Sequence, residues 1–412
     1  MIQFERFTLA NGLRVLVHRD ESTPIVAFNL LYDVGARDED EKRTGFAHLF
    51  EHLMFGGSVN IPDFDKPLHA VGGTSNAFTN NDITNYYVTL PVDNLETAFW
   101  LDSDRMLSLA FSEKSLEVQR NVVIEEFKQR YLNQPYGDVW LLLRPLAYAE
   151  HPYKWATIGK EIKHIEDATL QDVRDFFGTH YIPSNGILCV AGNITTEQIK
   201  TLSEKWFGPI PAKTRKERKL PKEPTQTEAR SLTVKRDVPY PAFYRAWHMD
   251  KRDSESFYAC DLMSDILSRG KSSRLYDQLV REKKLFSEIN AFITGDLDEG
   301  LFVVSGKLNE GVKMEDAETG VELALDELRT TLIPENELEK VKNKVETTKA
   351  FNDMSVLDKA MELCYFELLG DANRVNHEID RYKKVTAADI LKVAQSILRK
   401  ENSSTLYYYP NH

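Results

Sequence analysis

The sequence predicts an α+β protein of two similar domains, each an α/β sandwich in which an antiparallel-rich sheet is flanked by helices. Three observations support this fold class. An Asn11-Gly12 pair joins two strand-like runs, the order of elements in the first half recurs in the second, and a proline-rich basic segment lies between the halves. We therefore expect domains over 1–206 and 227–412, related by internal duplication and joined by a linker over 207–226.

The first half reads as a sheet followed by helices. The runs "FERFTLA" and "LRVLVHR" flank the Asn-Gly turn, "PIVAFNLLYDV" follows as a third strand, and "NND" marks a turn between two extended segments within 70–91. Apolar periodicity predicts helices over 92–131 and 137–149, and another after Thr169, before a strand-length apolar run at 185–194.

The second half repeats this order. The runs "ARSLTVKRD", "AFYRAWHM" and "GLFVVSGKL" read as strands, a helix carries Leu262, Ile266 and Leu267, and helices continue to about residue 400. The linker, "FGPIPAKTRKERKLPKEPTQ", holds four prolines and most of the local positive charge without periodicity, so we expect it to be solvated. We also expect a cleft between the duplicated halves.

The composition excludes several classes of protein. The chain has 412 residues, of which 42% are hydrophobic and 28% charged, so it is long enough for ordinary domains with substantial cores. Acidic residues outnumber basic ones by 64 to 52, which argues against a nucleic-acid partner. Cys189, Cys260 and Cys364 are scattered without CxxC spacing, which indicates neither a disulfide framework nor a cysteine zinc site.

The same features predict a location. The start, "MIQFERFTLANGLRV", lacks the basic segment and apolar core of a secretory signal, and no run of about 18 uncharged apolar residues occurs. Scattered cysteines fit a reducing compartment. We therefore expect a cytoplasmic protein with no membrane partner.

The segment "FAHLFEHLMF" over 46–55 carries the most specific chemistry in the chain. A Thr-Gly pair precedes it and a Gly-Gly pair follows it, which predicts a short helix. On a helix, His48 and His52 lie one turn apart on the same face, and Glu51 leans toward the same point.

Two imidazoles at this spacing suit a tetrahedral divalent ion, and zinc best matches nitrogen ligands plus a carboxylate. Glu51 can then act as general base on water, whose pKa such a metal lowers to about 7. In an arbitrary HxxEH the commoner explanation is a satisfied polar pair or an incidental surface metal site. Here apolar residues surround the motif, and burying unpaired imidazoles is costly, so the sequence favours a metal site.

A third protein ligand is needed, and the helix "SLEVQRNVVIEEFKQR" offers Glu125 and Glu126. Residues 119, 122 and 126 share one helix face, so Glu126 points the same way as Gln119, whereas Glu125 turns away. Periodicity alone prefers neither glutamate, and an isolated pair of this kind is most often a solvated acidic surface.

At this point the chain resembles peptidase family M16, which includes pitrilysin, insulin-degrading enzyme and mitochondrial processing peptidase. HLFEH is the inverted zinc motif of the inverzincins. The family follows it with a helix reading roughly E-R-x-V-x-x-x-E, and "QRNVVIEE" falls on that pattern. The resemblance implies that Glu126, and not Glu125, is the third ligand.

The resemblance extends over nearly the whole chain and implies half of a four-domain clamshell. "GGTSNAFTNNDITNYY" is similar to the family's strand pair whose edge holds substrate by strand addition, which implies that Asn76 and Ala77 bind substrate. "GKSSRLYDQLVREKKLFSEI" is similar to a second-half segment in which an arginine, here Arg281, grips substrate near the scissile bond.

Two positions depart from the family pattern. Gln119 stands where the family usually has a glutamate that supports the metal ligands, so we expect a less negative site and weaker metal binding. Glu288 stands where a tyrosine would complete the substrate clamp, and Leu285 where a glycine would stand. A carboxylate cannot replace a phenol as a hydrogen-bond donor at neutral pH.

The resemblance therefore implies a zinc-dependent endopeptidase that cuts peptides or short unfolded segments in an enclosed chamber, with Glu51 as general base. Because one half of the clamp is missing, we expect a homologous partner subunit, in a heterodimer or a homodimer. The alternative is a scaffold or assembly subunit without activity, but such a subunit would be expected to lose its metal ligands, and His48, His52 and Glu126 are all present.

Overall fold

The computed structural model describes residues 1–411 and divides the chain into two compact units. Neither unit is contiguous in sequence. The first consists of Met1–Phe127, Trp155–Leu220 and Ala350–His377; the second consists of Lys128–Lys154, Pro221–Lys349 and the chain from Glu378 onward.

The strands are β1 Glu5–Thr8, β2 Arg14–Arg19, β3 Ile25–Tyr32, β4 Thr74–Thr79, β5 Thr84–Pro91, β6 Gly186–Gly192, β7 Arg230–Arg236, β8 Ala242–His248, β9 Phe286–Ile293, β10 Leu301–Leu308 and β11 Ser403–Pro410. The α-helices are α1 Phe46–Leu53, α2 Asp65–Ala70, α3 Leu95–Ser108, α4 Glu113–Phe127, α5 Val139–Ala147, α6 Ile162–Glu166, α7 Leu170–His180, α8 Thr196–Trp206, α9 Glu255–Ser268, α10 Met314–Thr330, α11 Glu335–Asn352, α12 Val356–Leu368, α13 Glu378–Lys384 and α14 Ala387–Ile397. Two π-helical segments span Lys128–Leu132 and Tyr276–Glu282. Short 3₁₀ turns span Ala36–Asp38, Val92–Asn94, Pro152–Lys154, Pro183–Asn185, Ala372–Asn376 and Lys400–Asn402.

The sheet of the first unit has the strand order β1-β2-β6-β3-β5-β4. The predicted Asn-Gly hairpin is confirmed, because β1 and β2 pair antiparallel across it. Only β2 and β6 run parallel within this sheet; β6-β3, β3-β5 and β5-β4 are antiparallel. β4 therefore lies at one edge of the sheet.

The sheet of the second unit has the order β7-β11-β8-β10-β9. Its first pair is parallel and the other three are antiparallel, so it repeats the arrangement of β2-β6-β3-β5-β4 strand for strand. The predicted recurrence of element order, with two antiparallel-rich sheets flanked by helices, is thereby confirmed. The strands β9 and β11 were not predicted from the sequence.

Each unit takes one helix from the other half of the sequence. α12 packs on β3 and β6 of the first sheet, where the Cys364 thiol lies 3.5 Å from the carbonyl oxygen of Ile187. α5 packs against β7, β8 and β11 of the second sheet. The domains predicted over 1–206 and 227–412 are contiguous, whereas the compact units exchange these segments, because the apolar faces of α5 and α12 are buried on the sheet of the opposite half.

Part of the basic linker is bound to the first unit by ion pairs. Arg215 pairs with Asp33 at 2.5 Å, and Arg218 contacts both Asp33 at 2.8 Å and Asp38 at 2.6 Å. Although burial opposes it, these arginines hold the pKa of Asp33 below its usual value, so the carboxylate is ionised at neutral pH. The first part of the segment 207–226 is therefore attached to the first unit by its own charges.

Glu223, later in the linker, is attached to the second unit. Its buried carboxylate accepts hydrogen bonds from three successive backbone N–H groups, those of residues 149–151, at 2.8–3.0 Å. The expectation of a solvated linker is therefore wrong for Arg218 and Glu223, whereas Arg215, Lys216, Lys219 and Lys222 are exposed as expected.

The three cysteines, Cys189, Cys260 and Cys364, are free and buried. Within residues 1–411, no helix is long and apolar enough to cross a lipid bilayer. The cytoplasmic location stays a prediction.

The helix α1 begins at a glycine that no other residue can replace without strain. Gly45, the N-cap, has φ +88° and ψ +4°, in the left-handed region that disfavours side chains. A Cβ at this position would lie 2.7 Å from the Ile158 carbonyl oxygen and 2.8 Å from the Ile165 side chain. The start of α1 is thus held closely against the segment that contains these two isoleucines.

We expect Gly45→Ala to destabilise the first unit more than Gly370→Ala does. Gly370 has a similar φ of +98° in the same unit, but a Cβ there would meet nothing within 4 Å. Both variants pay the cost of a left-handed residue, about 1–2 kcal/mol, and only Gly45→Ala adds a steric clash, worth about 1–3 kcal/mol. Equal losses in the free energy of unfolding, measured by urea denaturation, would contradict this assignment.

Candidate metal centre

The helix α1 has one buried face and one polar face. Its buried residues are Phe46, Ala47, Leu49, Phe50 and Leu53. The ring of Phe50 stacks on those of Phe176 on α7 and Tyr181, with centroids 5.1 and 5.2 Å apart. This aromatic packing turns His48, Glu51 and His52 to the opposite, half-buried face.

The two histidines of α1 converge with one glutamate of α4. The Nε2 atoms of His48 and His52 lie 3.6 and 3.4 Å from the same carboxylate oxygen, Oε2 of Glu126. The two imidazole rings are 4.8 Å apart and nearly perpendicular, at 87°. The three side chains are only 13%, 24% and 17% exposed, respectively.

The donor set fits a zinc ion. One ligand atom from each of His48, His52 and Glu126 lies within 4.8 Å of the others. Zinc bonds of about 2.0–2.2 Å in a tetrahedron place ligand atoms about 3.3–3.6 Å apart, which matches the separations of 3.6 and 3.4 Å between the imidazoles and the carboxylate. Two imidazoles and one carboxylate are also the ligand set of a catalytic site that keeps a position for water.

The structure distinguishes the two candidate glutamates. Glu126 is half-buried and faces the histidines, whereas Glu125 is exposed. Gln119, two turns before Glu126, is half-buried, and its amide nitrogen lies 4.0 Å from where a side chain on Gly56 would begin. Gln119 thus lies beside the chain that leaves α1, on the same face of α4 as Glu126.

The predicted substrate-binding strand is β4. Asn76 is exposed and Ala77 half-buried on this edge strand, and the Ala77 N–H donates a 2.8 Å hydrogen bond to the side-chain oxygen of Asn76. The strand contacts α1 within the first unit. An edge strand of this kind can pair with an extended peptide.

The two predicted clamp positions lie in the second unit. Arg281, on the π-helical segment, is 62% exposed and pairs with Asp277 and, at 3.6 Å, with Glu282. Glu288, on β9, pairs across the strands with Lys307 on β10 at 3.1 Å. The position expected to hold a tyrosine therefore carries an ion pair.

A buried cation that was not predicted from the sequence is linked to α1 through Tyr86. Arg105 on α3 is 2% exposed, pairs with Asp102, and lies 4.5 Å from the ring centroids of both Phe64 and Tyr86. The Tyr86 hydroxyl in turn donates to the carbonyl oxygen of Phe50 on α1, at 3.4 Å. Nothing in the sequence indicated that Arg105 would be buried, since arginines are rarely fully buried.

A second missed residue is Glu39, which lies in the charged run "GARDEDEKR" before α1. Its carboxylate is buried and accepts hydrogen bonds from the backbone at the start of α1. One feature of the sequence could have indicated this role. The N-cap of that helix is not a Ser, Asp or Asn, so another residue must accept hydrogen bonds from the first N–H groups.

Two protein-family models match the chain. The model described as Insulinase (Peptidase family M16) matches residues 14–152, which include the HxxEH segment and Glu126. The model described as Peptidase M16 inactive domain matches residues 167–345. Together they cover most of both halves.

Among curated proteins, the chain is 30% identical over 417 aligned residues to the zinc protease PqqE of Helicobacter pylori, covering 98% of this chain and 93% of that protein. Among solved structures, it resembles a protease from Helicobacter pylori, with a TM-score of 0.93 at 29% identity and full coverage of both chains. It also shares its fold with the periplasmic protease PqqL of Escherichia coli, with a TM-score of 0.79 at 18% identity, covering 98% of this chain but 47% of that one.

These comparisons confirm the resemblance inferred from the motifs and the fold predicted from it. The family models include the segment that brings His48, His52 and Glu126 together, and the similarity to a named relative runs nearly from end to end. The protein belongs to peptidase family M16.

Proposed function

We propose that this chain is a zinc-dependent endopeptidase that hydrolyses peptides or short unfolded segments. The observation that carries the proposal is the convergence of His48, His52 and Glu126, with a further acid, Glu51, on the same polar face of α1. The naming of a relative with 93% coverage as a zinc protease supports the metal and the protease role.

The side chains divide the work between holding the metal and moving a proton. His48, His52 and Glu126 would hold zinc, which would supply Lewis-acid chemistry by polarising a carbonyl and making water easier to deprotonate near neutral pH. Glu51 takes a proton from the attacking water as the water oxygen bonds to the scissile carbonyl carbon. Glu51 then gives that proton to the amide nitrogen as the C–N bond breaks, and ends the cycle ionised.

The substrate would bind as an added strand along β4. Main-chain pairing holds an extended peptide with little regard to its side chains, which suits an enzyme for unfolded segments. Asn76 and Ala77 provide this edge, and a substrate carbonyl can replace the Asn76 side chain as the acceptor of the Ala77 N–H. An enclosed chamber would exclude folded proteins by size.

We propose that a homologous subunit completes the enzyme, in a heterodimer or a homodimer. Glu288 and Lys307 form an ion pair where the family's clamp has a tyrosine, so this chain offers only Arg281 of the pair. The chain also matches 47% of the longer PqqL chain, as one half of a two-part molecule would.

The second candidate function is a scaffold or assembly subunit without activity. Gln119 and Glu288 favour it, because both replace residues that the active pattern uses, and the second family model is described as an inactive domain. The converging ligand atoms favour the peptidase.

The first test of the peptidase is Glu51→Gln. We expect cleavage of a quenched, unstructured peptide to fall by about 10²–10⁴-fold, the range for removing a general base, while zinc content stays stoichiometric because Glu51 is not a ligand. Glu125→Gln is the matched control, since it removes the same charge from an exposed residue beside Glu126 and should change the rate less than twofold.

Cleavage at the wild-type rate by Glu51→Gln would refute the proposed mechanism. Stoichiometric zinc without cleavage, for the wild-type chain alone and with its partner, would favour the scaffold instead.

The second test is Gln119→Glu. A negative charge at this half-buried position should strengthen zinc binding about tenfold, within the range seen for residues that support metal ligands. Zinc affinity is measured by competition with a chelator. Asn121→Asp adds the same charge at an exposed position on α4 and should leave the affinity unchanged. Equal effects of the two variants would mean that only the net charge matters.

The third test concerns the missing half of the clamp. We expect the isolated wild-type chain, loaded with zinc, to cleave peptides slowly, and Glu288→Tyr to raise kcat/KM by about tenfold or more, since a single transition-state donor is worth at least that much. Glu288→Gln removes the charge without adding a phenol and should give no such gain. A wild-type chain that is fully active as a monomer would rule out the partner.

A further inference from the structure

The helix α1 has no capping side chain of its own. Its N-cap, Gly45, has no side chain that could accept a hydrogen bond from the first turn. The Glu39 carboxylate fills this role from outside the helix: Oε2 accepts the Gly45 N–H at 2.9 Å, and Oε1 accepts the Ala47 N–H at 2.8 Å. Both oxygens of one carboxylate are thus used on one helix start.

Placing a carboxylate here is costly. Glu39 is 8% exposed, and burial raises its pKa to about 8, even though the bonds from Ala47 and Gly45 oppose that shift. A buried acid is tolerated only where it is well hydrogen-bonded. Glu39 therefore occupies a position that a smaller or apolar residue would hold at lower cost if only space had to be filled.

The carboxylate bonds the backbone directly beside a metal ligand. Ala47 is the residue before His48. Because α1 is only 8 residues long, a shift in the backbone of its first turn would move both histidines. Short helices are marginal on their own. A site of this kind needs its side chains placed to within about 0.5 Å.

Glu39 is itself held in place. It follows the 3₁₀ turn Ala36–Asp38, whose Ala36 carbonyl accepts the Trp155 indole N–H at 2.9 Å. The Asp38 carboxylate binds Arg218 of the linker at 2.6 Å and the Gly35 N–H at 3.1 Å. Hydrogen bonds thus connect Arg218 of the linker, through the turn that precedes Glu39, to the start of α1.

We propose that Glu39 is a positioning residue for the metal centre: by fixing the first turn of α1, it sets the orientation of His48 and His52 toward Glu126. This rests on the proposed function only in taking zinc as the metal. The alternative is that Glu39 stabilises the fold as any helix cap does, without a specific effect on the ligands. A positioning role predicts that removing Glu39 lowers zinc affinity more than removing another helix cap that costs the same free energy of unfolding.

The experiment compares four proteins: the wild type, Glu39→Ala, Glu39→Gln and Thr195→Ala. Thr195 caps α8 in the same unit by accepting the Gln198 N–H at 3.2 Å, and α8 carries no predicted site residue, so it is the matched control. Zinc affinity is measured by chelator competition, the free energy of unfolding by urea, and amide exchange of the segment 46–53 by mass spectrometry on metal-free protein.

We expect Glu39→Ala to lower zinc affinity by about 10–100-fold and to speed exchange in 46–53 without metal. Glu39→Gln keeps the length of the side chain and one acceptor oxygen but places an NH₂ group opposite the second N–H, so its zinc affinity should lie between those of the wild type and Glu39→Ala. Thr195→Ala should lose stability comparably while keeping its zinc affinity within twofold and its exchange in 46–53 unchanged. If Glu39→Ala fails to fold, Glu39→Gln and Glu39→Asp decide: Asp is one methylene too short to bridge both N–H groups and should bind zinc less tightly than Gln.

Wild-type zinc affinity in Glu39→Ala, or in Glu39→Asp where Ala does not fold, would overturn the proposal, as would an equal loss in Thr195→Ala. Failure of the proposed function looks different. A wild type that binds zinc but cuts nothing refutes the peptidase and leaves the Glu39 comparison intact. A wild type that binds no zinc refutes the peptidase, and unchanged exchange of 46–53 in the Glu39 variants would then refute the positioning role independently.

Discussion

The site depends on one geometric constraint: three ligand atoms from two separate helices must meet within a few ångströms. His48 and His52 meet Oε2 of Glu126 at 3.6 and 3.4 Å, although the helices that carry them are far apart in sequence. Neither helix can satisfy this alone. The position of α1 is set at its start by Gly45 and Glu39 and on its apolar face by the Phe50 aromatic stack. The hydroxyl of Tyr86 on β5, whose ring contacts Arg105 of α3, also bonds to α1.

Buried polar groups fix local geometry in both units. In the first unit Glu39 bonds the start of α1, and Arg105 lies between aromatic rings and pairs with Asp102. In the second unit Glu223 accepts hydrogen bonds from three successive backbone N–H groups after α5. Each costs desolvation that apolar residues would avoid. What they add is direction, because a hydrogen bond fixes an angle and a distance, whereas apolar contact fixes mainly proximity.

The sequence predicted the parts of the molecule that short-range rules determine. The Asn-Gly hairpin, the strands around β3 and β10, and the HxxEH helix follow from turn chemistry and apolar periodicity. It did not predict β9 or β11. Nor did it predict that α5 and α12 would each pack on the sheet of the opposite half, because an amphipathic helix does not encode which sheet it covers. Nor did it identify Glu39, whose charged neighbours read as a solvated loop, and the choice of Glu126 over Glu125 came from the family pattern rather than from periodicity.

The exchange of α5 and α12 bears on how the chain can fold during its synthesis. When the first half has left the ribosome, β3 and β6 still lack the helix that covers one of their faces, because residues 350–377 come some 150 positions later. Apolar surface of this kind invites misassociation while it waits. Completion of the metal-binding unit is therefore tied to translation of the other half, because the faces of β3 and β6 that α12 covers stay open until residues 350–377 have emerged.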